Sequence, residues 1–170
     1  MIYTTQYHSP VGKITFAGNE NGLIGLWIEG QKYFLGKVKE PMQEKEDLEI
    51  FSKTRNWLDR YFHGERPLIS EIRLKPEGSV FQKEVWKLLC EIPYGEVTTY
   101  GDIAKKVAKK LGKETMSAQA VGGAVGHNPI AIIIPCHRVV GSNGSMTGYA
   151  GGIDKKIKLL RHEGIEDLFL

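Results

Sequence analysis

Cysteine is scarce in this chain: its 170 residues carry two, Cys90 and Cys136. Neither stands at zinc-finger spacing from a second Cys or a His pair; two cysteines could form one disulfide, but a reducing compartment would keep them as thiols, so neither kind of staple is expected. Long apolar runs are absent as well, and none approaches the roughly 20 residues that cross a bilayer. Residues 1–11 alternate polar and apolar with neither a basic leader nor an apolar core, which predicts no secretory signal and a cytoplasmic protein. No low-complexity tract interrupts a composition of 41% hydrophobic and 25% charged residues, as befits one large or two small globular domains. Acidic excess is also missing. The formal charge is +3, but residues 98–161 hold ten Lys/Arg against three Asp/Glu. A basic half of that kind suits a polyanion partner, although lysine-rich faces are more often simply solvated.

What is present begins with strand-like alternation over residues 1–27, broken at Ser9-Pro10-Val11-Gly12 and again at residues 18–22. Two or three short antiparallel strands fit best. A helix is predicted from Asp47 to near His63-Gly64, with Leu48, Phe51, Leu58 and Phe62 on one face. No group of catalytic side chains stands in this half, so its role reads as structural. Ser79 and Gln82 then form a capping box for a helix that turns Phe81, Val85, Leu88, Leu89 and Ile92 inward. Thr99 and Asp102 signal another helix, and Ser117 caps a third after a glycine-containing turn, a helix-turn-helix pattern. That third helix is nearly bare: Ala118, Ala120, Gly122, Gly123, Ala124 and Gly126 leave mainly Gln119 to project. Adjacent glycines cost about 1 kcal/mol each in a helix. Either a neighbouring helix or an outside backbone must approach closely there.

The chemistry concentrates after Asn128-Pro129. Ile130, Ile132, Ile133 and Ile134 read as a buried strand ending at Pro135, and Cys136, His137 and Arg138 follow at once. A thiol beside an imidazole at the exit of a rigid element is a way to fix a nucleophile. Cys90, between apolar helix positions, reads as a buried and inert thiol. Downstream come a turn around Ser142, a glycine-rich loop with Tyr149, and a final helix for which Asp154 is the expected cap. That helix buries Ile157, Leu159 and Leu160 and ends at His162-Glu163-Gly164.

Pro135-Cys136-His137-Arg138-Val139, with Gly122-Gly123-Ala124 and Asn128-Pro129 before it and Gly148-Tyr149 and Gly151-Gly152 after it, resembles the O6-alkylguanine-DNA alkyltransferases. Residues 94–100 and 160–164 match in the same order, so the likeness is strong from Ser79 to Gly164 and looser before. The resemblance implies an α/β (α+β) protein. Residues 1–76 would form a ribonuclease-H-like domain of sheet and helix, and residues 77–170 a mostly helical, helix-turn-helix domain that binds DNA and transfers the alkyl group. It implies single-turnover transfer of an alkyl group, chiefly methyl, from O6-alkylguanine (less readily O4-alkylthymine) to Cys136. The damaged nucleotide would be flipped out of the minor groove of double-stranded DNA with little sequence preference. The protein would act as a monomer, with no cofactor, metal or membrane.

By the same resemblance His137 takes the thiol proton through a water, Glu163 orients that imidazole, Asn128 braces the turn, and Tyr100 gives a proton to the departing base. Tyr100, Val139, Met146, Tyr149 and Ala150 would line the base pocket. Ala118, Gln119, Ala120, Gly122, Arg138 and Ser142 would meet the DNA, with Arg138 equally able to brace the fold. Two departures matter. Gln119 stands where many members have an arginine that fills the gap left by the flipped base, and glutamine is shorter and uncharged. The first half has no cysteine, so the zinc of some members is not expected here. Two other classes stay open: a lesion-binding relative without transfer, which typically lacks the cysteine, and an unrelated cysteine hydrolase.

Overall fold

The structure, a computed structural model, describes residues 1–36, 38, 40–144 and 149–166. It divides into two compact units, one of Met1–Glu77 joined by Pro129–Ala131, the other of Gly78–Asn128 with Ile132–Leu170.

The first unit starts as an antiparallel meander of β1 (Ile2–Ser9), β2 (Gly12–Asn19) and β3 (Gly22–Ile28). In register, Thr5 faces Phe16 and Phe16 faces Leu26. The Ser9 hydroxyl donates to Gly12 O at 2.7 Å and closes the first hairpin. A short β4 (Met42–Glu44) adds in parallel beside β1, giving the order β3-β2-β1-β4. On β3 the Trp27 ring folds back over Gly25, where any Cβ would lie 2.0 Å from the indole, so only glycine fits. Helix α1 (Glu49–Phe62) covers the sheet with Phe51, Thr54, Trp57, Leu58 and Tyr61. Its buried stripe is thus shifted from the expected one, with Leu48 and Phe62 only half-buried.

The isoleucine stretch is buried throughout but is not a strand. Ile130 alone pairs, as a parallel bridge to Leu26, framed by Leu26 N–H to Pro129 O at 2.8 Å and Ala131 N–H to Leu26 O at 2.9 Å. Ile132 then adopts φ +71°, a conformation that costs a β-branched residue and breaks any extended ladder. Burial explains the isoleucines; pairing does not.

In the second unit α2 (Val80–Leu89) begins on the reciprocal cap of Ser79 and Gln82, with bonds of 3.1 and 3.0 Å. Helix α3 (Tyr100–Lys110) starts on Thr99, whose hydroxyl accepts from Asp102 N at 3.1 Å. Helix α4 (Ala118–Gly126) starts on Ser117, which accepts from Gln119 N and Ala120 N. The three pack on one another, and Val85, Leu89, Ile103, Val107, Val121 and Val125 on them are all buried. Trp86 Nε1 donates to Ala124 O at 2.8 Å and ties α2 to α4. Two-residue strands β5 (Thr98–Thr99) and β6 (Val139–Val140) pair in parallel. Helix α5 (Ile153–His162) is led by Gly152 at φ +102°, not by Asp154, which lies in the first turn. At that φ glycine is the natural cap residue. Among the described residues no helix is long and apolar enough to cross a membrane.

Candidate active site and nucleic-acid face

Cys136 opens a 3-10 turn of three residues, Cys136–Arg138, directly after Pro135. Its thiol is buried, with 6% of the residue exposed. Asn128, two residues past α4, donates through Nδ2 to Ile134 O at 2.9 Å and also reaches the Cys136 side chain. It therefore pins the loop immediately before the nucleophile. Burial pushes the Cys136 thiol up, while the Asn128 hydrogen bond, the charge of Lys156 and nearby backbone amides pull the other way.

His137 is fully buried. Its Nε2 lies 2.6 Å from Glu163 Oε2. Glu163 Oε1 also accepts from Arg138 Nε at 2.8 Å and from Gly95 N at 3.1 Å. Arg138 Nη2 reaches Glu163 Oε2 at 3.1 Å, and Nη1 donates to Ile92 O at 2.7 Å. Burial would raise the Glu163 carboxyl, but its bonds to His137 and Arg138 outweigh this and hold it well below the carboxylate range. An ionised carboxylate accepts only, so His137 Nε2 carries the hydrogen. Nδ1 then presents a lone pair, and it has no protein hydrogen-bond partner among the described residues. Burial keeps the ring neutral by lowering its pKa, against the pull of Glu163. A neutral imidazole with its tautomer fixed by a carboxylate is a ready general base.

Two tyrosines flank the thiol. Tyr100, half-buried at the start of α3, is pushed up to about 12 by burial and then by the adjoining Cys136. The Tyr149 hydroxyl is buried without a hydrogen bond of full geometry, and burial followed by Cys136 pushes it well above the ordinary value. Val139 is buried and Ala150 half-buried. Met146 lies outside the described residues. Arg138 is buried against Glu163 and stacks 5.6 Å from the Tyr94 ring, so its contacts favour the bracing role over a phosphate contact.

The exposed side of α4 presents Ala118, Gln119, Ala120 and Gly123, with Gly122 half-buried. A Cβ on Gly122 would touch Tyr100 only at 3.9 Å, and one on Gly123 or Gly126 would meet nothing within 4 Å. Packing within the unit does not require these glycines. Lys105, Lys106, Lys109 and Lys110 of α3 are exposed, as is Ser142.

Sequence reasoning missed Lys156. Its side chain is fully buried on α5, and Nζ donates to Val139 O at 2.5 Å. The available signal was its spacing, since it shares the inner stripe with Leu159 and Leu160.

Residues 2–76 match the family model of the 6-O-methylguanine DNA methyltransferase ribonuclease-like domain, and residues 80–165 match that of its DNA binding domain. The methylated-DNA–protein-cysteine methyltransferase of Methanosarcina acetivorans is 44% identical over 96% of this chain and 99% of its own. That of Haemophilus influenzae is 41% identical over 96% and 87%. Among solved structures, Mycobacterium tuberculosis OGT in complex with DNA aligns with a TM-score of 0.82 at 39% identity, covering 95% of this chain and 92% of that one.

Proposed function

The chain belongs to the 6-O-methylguanine DNA methyltransferase family, DNA-repair enzymes that act by direct alkyl transfer, and we propose that Cys136 is the acceptor. What carries this reading is the buried relay, a thiol next to an imidazole whose other face is held by Glu163 at 2.6 Å. His137 Nδ1 takes the thiol proton through a bridging water, and the Cys136 thiolate attacks the alkyl carbon on guanine O6. The C–O bond breaks as the C–S bond forms, and its electron pair stays with the base. Tyr100 keeps its proton at neutral pH and supplies it to the anionic guanine. A thioether offers no leaving group to water, so each molecule acts once. Alkyl groups on thymine O4 would follow the same route less readily.

The partner is double-stranded DNA, and the damaged nucleotide is flipped into the pocket flanked by Tyr100, Tyr149, Val139 and Ala150, since a stacked base hides its O6-alkyl carbon. The small residues of α4 suit backbone-close, sequence-indifferent contact in the minor groove. Gln119 enters the gap left by the base and, lacking a guanidinium, holds the extrahelical state less firmly than arginine would. Every described residue of the relay lies in the second unit of one chain, so a monomer suffices. The reducing cytoplasm would keep Cys136 a thiol.

Intact mass after incubation with a duplex containing O6-methylguanine tests the assignment. One methyl group should appear on the Cys136 peptide and uptake should stop at one equivalent. Repeated turnover, or no adduct, would count against it.

The α4 glycines give a separate test of the DNA face. Gly123→Ala should raise the unfolding free energy by about 0.5–1 kcal/mol, since a methyl there meets open space. The same variant should bind duplex several-fold more weakly in fluorescence anisotropy. Unchanged or tighter binding would remove this helix from the interface.

A further inference from the structure

Helix α4 presents its small residues without charge: residues 118–126 hold no Lys or Arg. Arg138, two residues from Cys136, is engaged by Glu163 and by Ile92 O. A duplex is a polyanion, and much of a protein's affinity for it comes from phosphates neutralised by Lys and Arg. The cations of this unit therefore have to come from an element beside α4. Helix α3 packs on α4, and residues 100–114, which include the turn after it, hold five lysines against two acids.

The exposed lysines of α3 form two rows outside its buried face. Lys106 and Lys110 run beside Ile103 and Val107, and Lys105 and Lys109 run beside Ala104 and Ala108. Glu84 of α2 takes the end of the first row: Lys110 Nζ lies 3.3 Å from its Oε2, and Lys87 Nζ 3.4 Å from its Oε1. The second row thus lies on the flank turned away from α2. The chain returns over that flank, because Lys113 N–H donates to Ala108 O at 2.8 Å, and it then enters α4 at Ser117. Among the described residues Lys105, Lys109 and Lys113 make no ion pair, and neither do the exposed Asp102 and Glu114. Like charges four residues apart weaken a helix. The helix dipole offsets this for Lys109 in the last turn but not for Lys105. Helix α1 differs, since it sets Glu49 against Lys53 at 3.2 Å. Nothing within α3 itself rewards the second row.

We propose that Lys105, Lys109 and Lys113 form a phosphate-binding stripe that grips one backbone of the duplex beside the groove in which α4 lies. The inference rests on α4 being the DNA face and adds where the counter-charge for the phosphates comes from. In a helix-turn-helix the first helix crosses the backbone while the second enters the groove, which is the place this flank of α3 would take. Lys105 and Lys109 stand about 6 Å apart along the axis, so successive ammonium groups can follow one strand. They meet phosphate as point charges and carry no base preference. That agrees with a groove helix whose only long exposed side chain is Gln119.

Fluorescence anisotropy with an undamaged duplex, repeated between about 50 and 200 mM salt, reads the stripe directly and needs no alkyl transfer. Each phosphate contact contributes about 0.9 to the slope of log affinity against log salt. The double variant Lys105→Gln/Lys109→Gln should therefore lower the slope by about 2, and Lys113→Gln alone by about 1. The double variant's deficit in affinity should then shrink by about tenfold across that salt range. Glutamine is nearly as good a helix former as lysine, so circular dichroism should stay unchanged. The charge-matched double Lys87→Gln/Lys110→Gln removes the same net charge from the Glu84 side. Its slope should stay within about 0.5 of the unmutated value. Equal falls in both doubles would make this an effect of overall charge and overturn the stripe. An unchanged slope in Lys105→Gln/Lys109→Gln would overturn it too and assign those lysines to solvent or to a partner other than DNA. Failure of methyl uptake with the slopes as expected would instead strike the transfer reading alone.

Discussion

The Cys136→Ala protein should bind lesion-containing duplex but take up no alkyl group at any time or pH. The thiol sits 6% exposed behind a turn fixed by Asn128, so shortening it to a methyl removes one buried heavy atom. That costs about 1 kcal/mol of stability, too little to unfold a typical domain. The exposed face of α4 is untouched, so duplex affinity should stay within about twofold. The second cysteine cannot substitute. Burial pushes Cys90 up to about 11, so at neutral pH it is a thiol by some four orders of magnitude. Nor does a histidine adjoin it in sequence, where Leu89 and Glu91 flank it. Intact mass should therefore stay flat while gel-shift analysis shows a persistent complex with O6-methylguanine DNA. An alkyl group arriving on Cys90 would move the acceptor elsewhere and leave the His137–Glu163 pair without a task.

Much of the second unit is legible from sequence because its signals are local. The caps at Ser79, Thr99 and Ser117 each act within three residues, so hydroxyl and amide spacing along the chain already fixes them. Cys136 and His137 are neighbours in sequence and need no fold to bring them together. Glu163 is different: its bond to His137 spans 26 residues, and nothing local marks it out from a solvated helix-end carboxylate. Resemblance alone named it. The isoleucine stretch misled because burial and strand pairing leave the same apolar signature, and only the φ of +71° at Ile132 separates them. Arg138 was ambiguous for a related reason, since a guanidinium serves a phosphate or a buried carboxylate equally well. Lys156 was passed over because a lysine near other lysines reads as solvated, even when its spacing places it on the inner face. The glycines of α4 could be interpreted only after the space around them was known.

Glu163→Gln should combine a large loss of stability with a large loss of rate. The carboxylate receives His137 Nε2 at 2.6 Å, Arg138 Nε at 2.8 Å and Gly95 N at 3.1 Å. The amide keeps the shape but removes the charge, and Arg138 is left buried without its counter-ion. Breaking a buried pair in this way costs about 3–5 kcal/mol, measurable as a lower urea midpoint. The rate falls for a separate reason. A glutamine NH2 turned toward His137 forces the ring hydrogen onto Nδ1, and the base then has no lone pair to offer the thiol. General-base assistance contributes roughly 10²–10⁴-fold, so single-turnover transfer should slow by at least 100-fold.

The pH dependence fixes the sign of both effects. The folded-state pKa of Glu163 is depressed, so its contribution to stability is present above the carboxylate's unfolded value and fades as pH falls toward the folded one. The folded-state pKa of His137 is also depressed, first by burial. The unfolded chain therefore binds a proton near pH 6.5 that the native state refuses, and stability declines further as pH drops below that point. Removing the carboxylate deletes the first dependence and deepens the second, because the ring loses the one group that favours its protonated form. The Glu163→Gln protein should then lose the carboxylate's share of the acid-side slope below about pH 4 and keep the histidine's, which begins near pH 6.5 and extends to lower pH. A destabilisation below about 1 kcal/mol, or transfer within threefold of the unmutated protein, would show that Glu163 neither holds Arg138 nor sets the tautomer of His137.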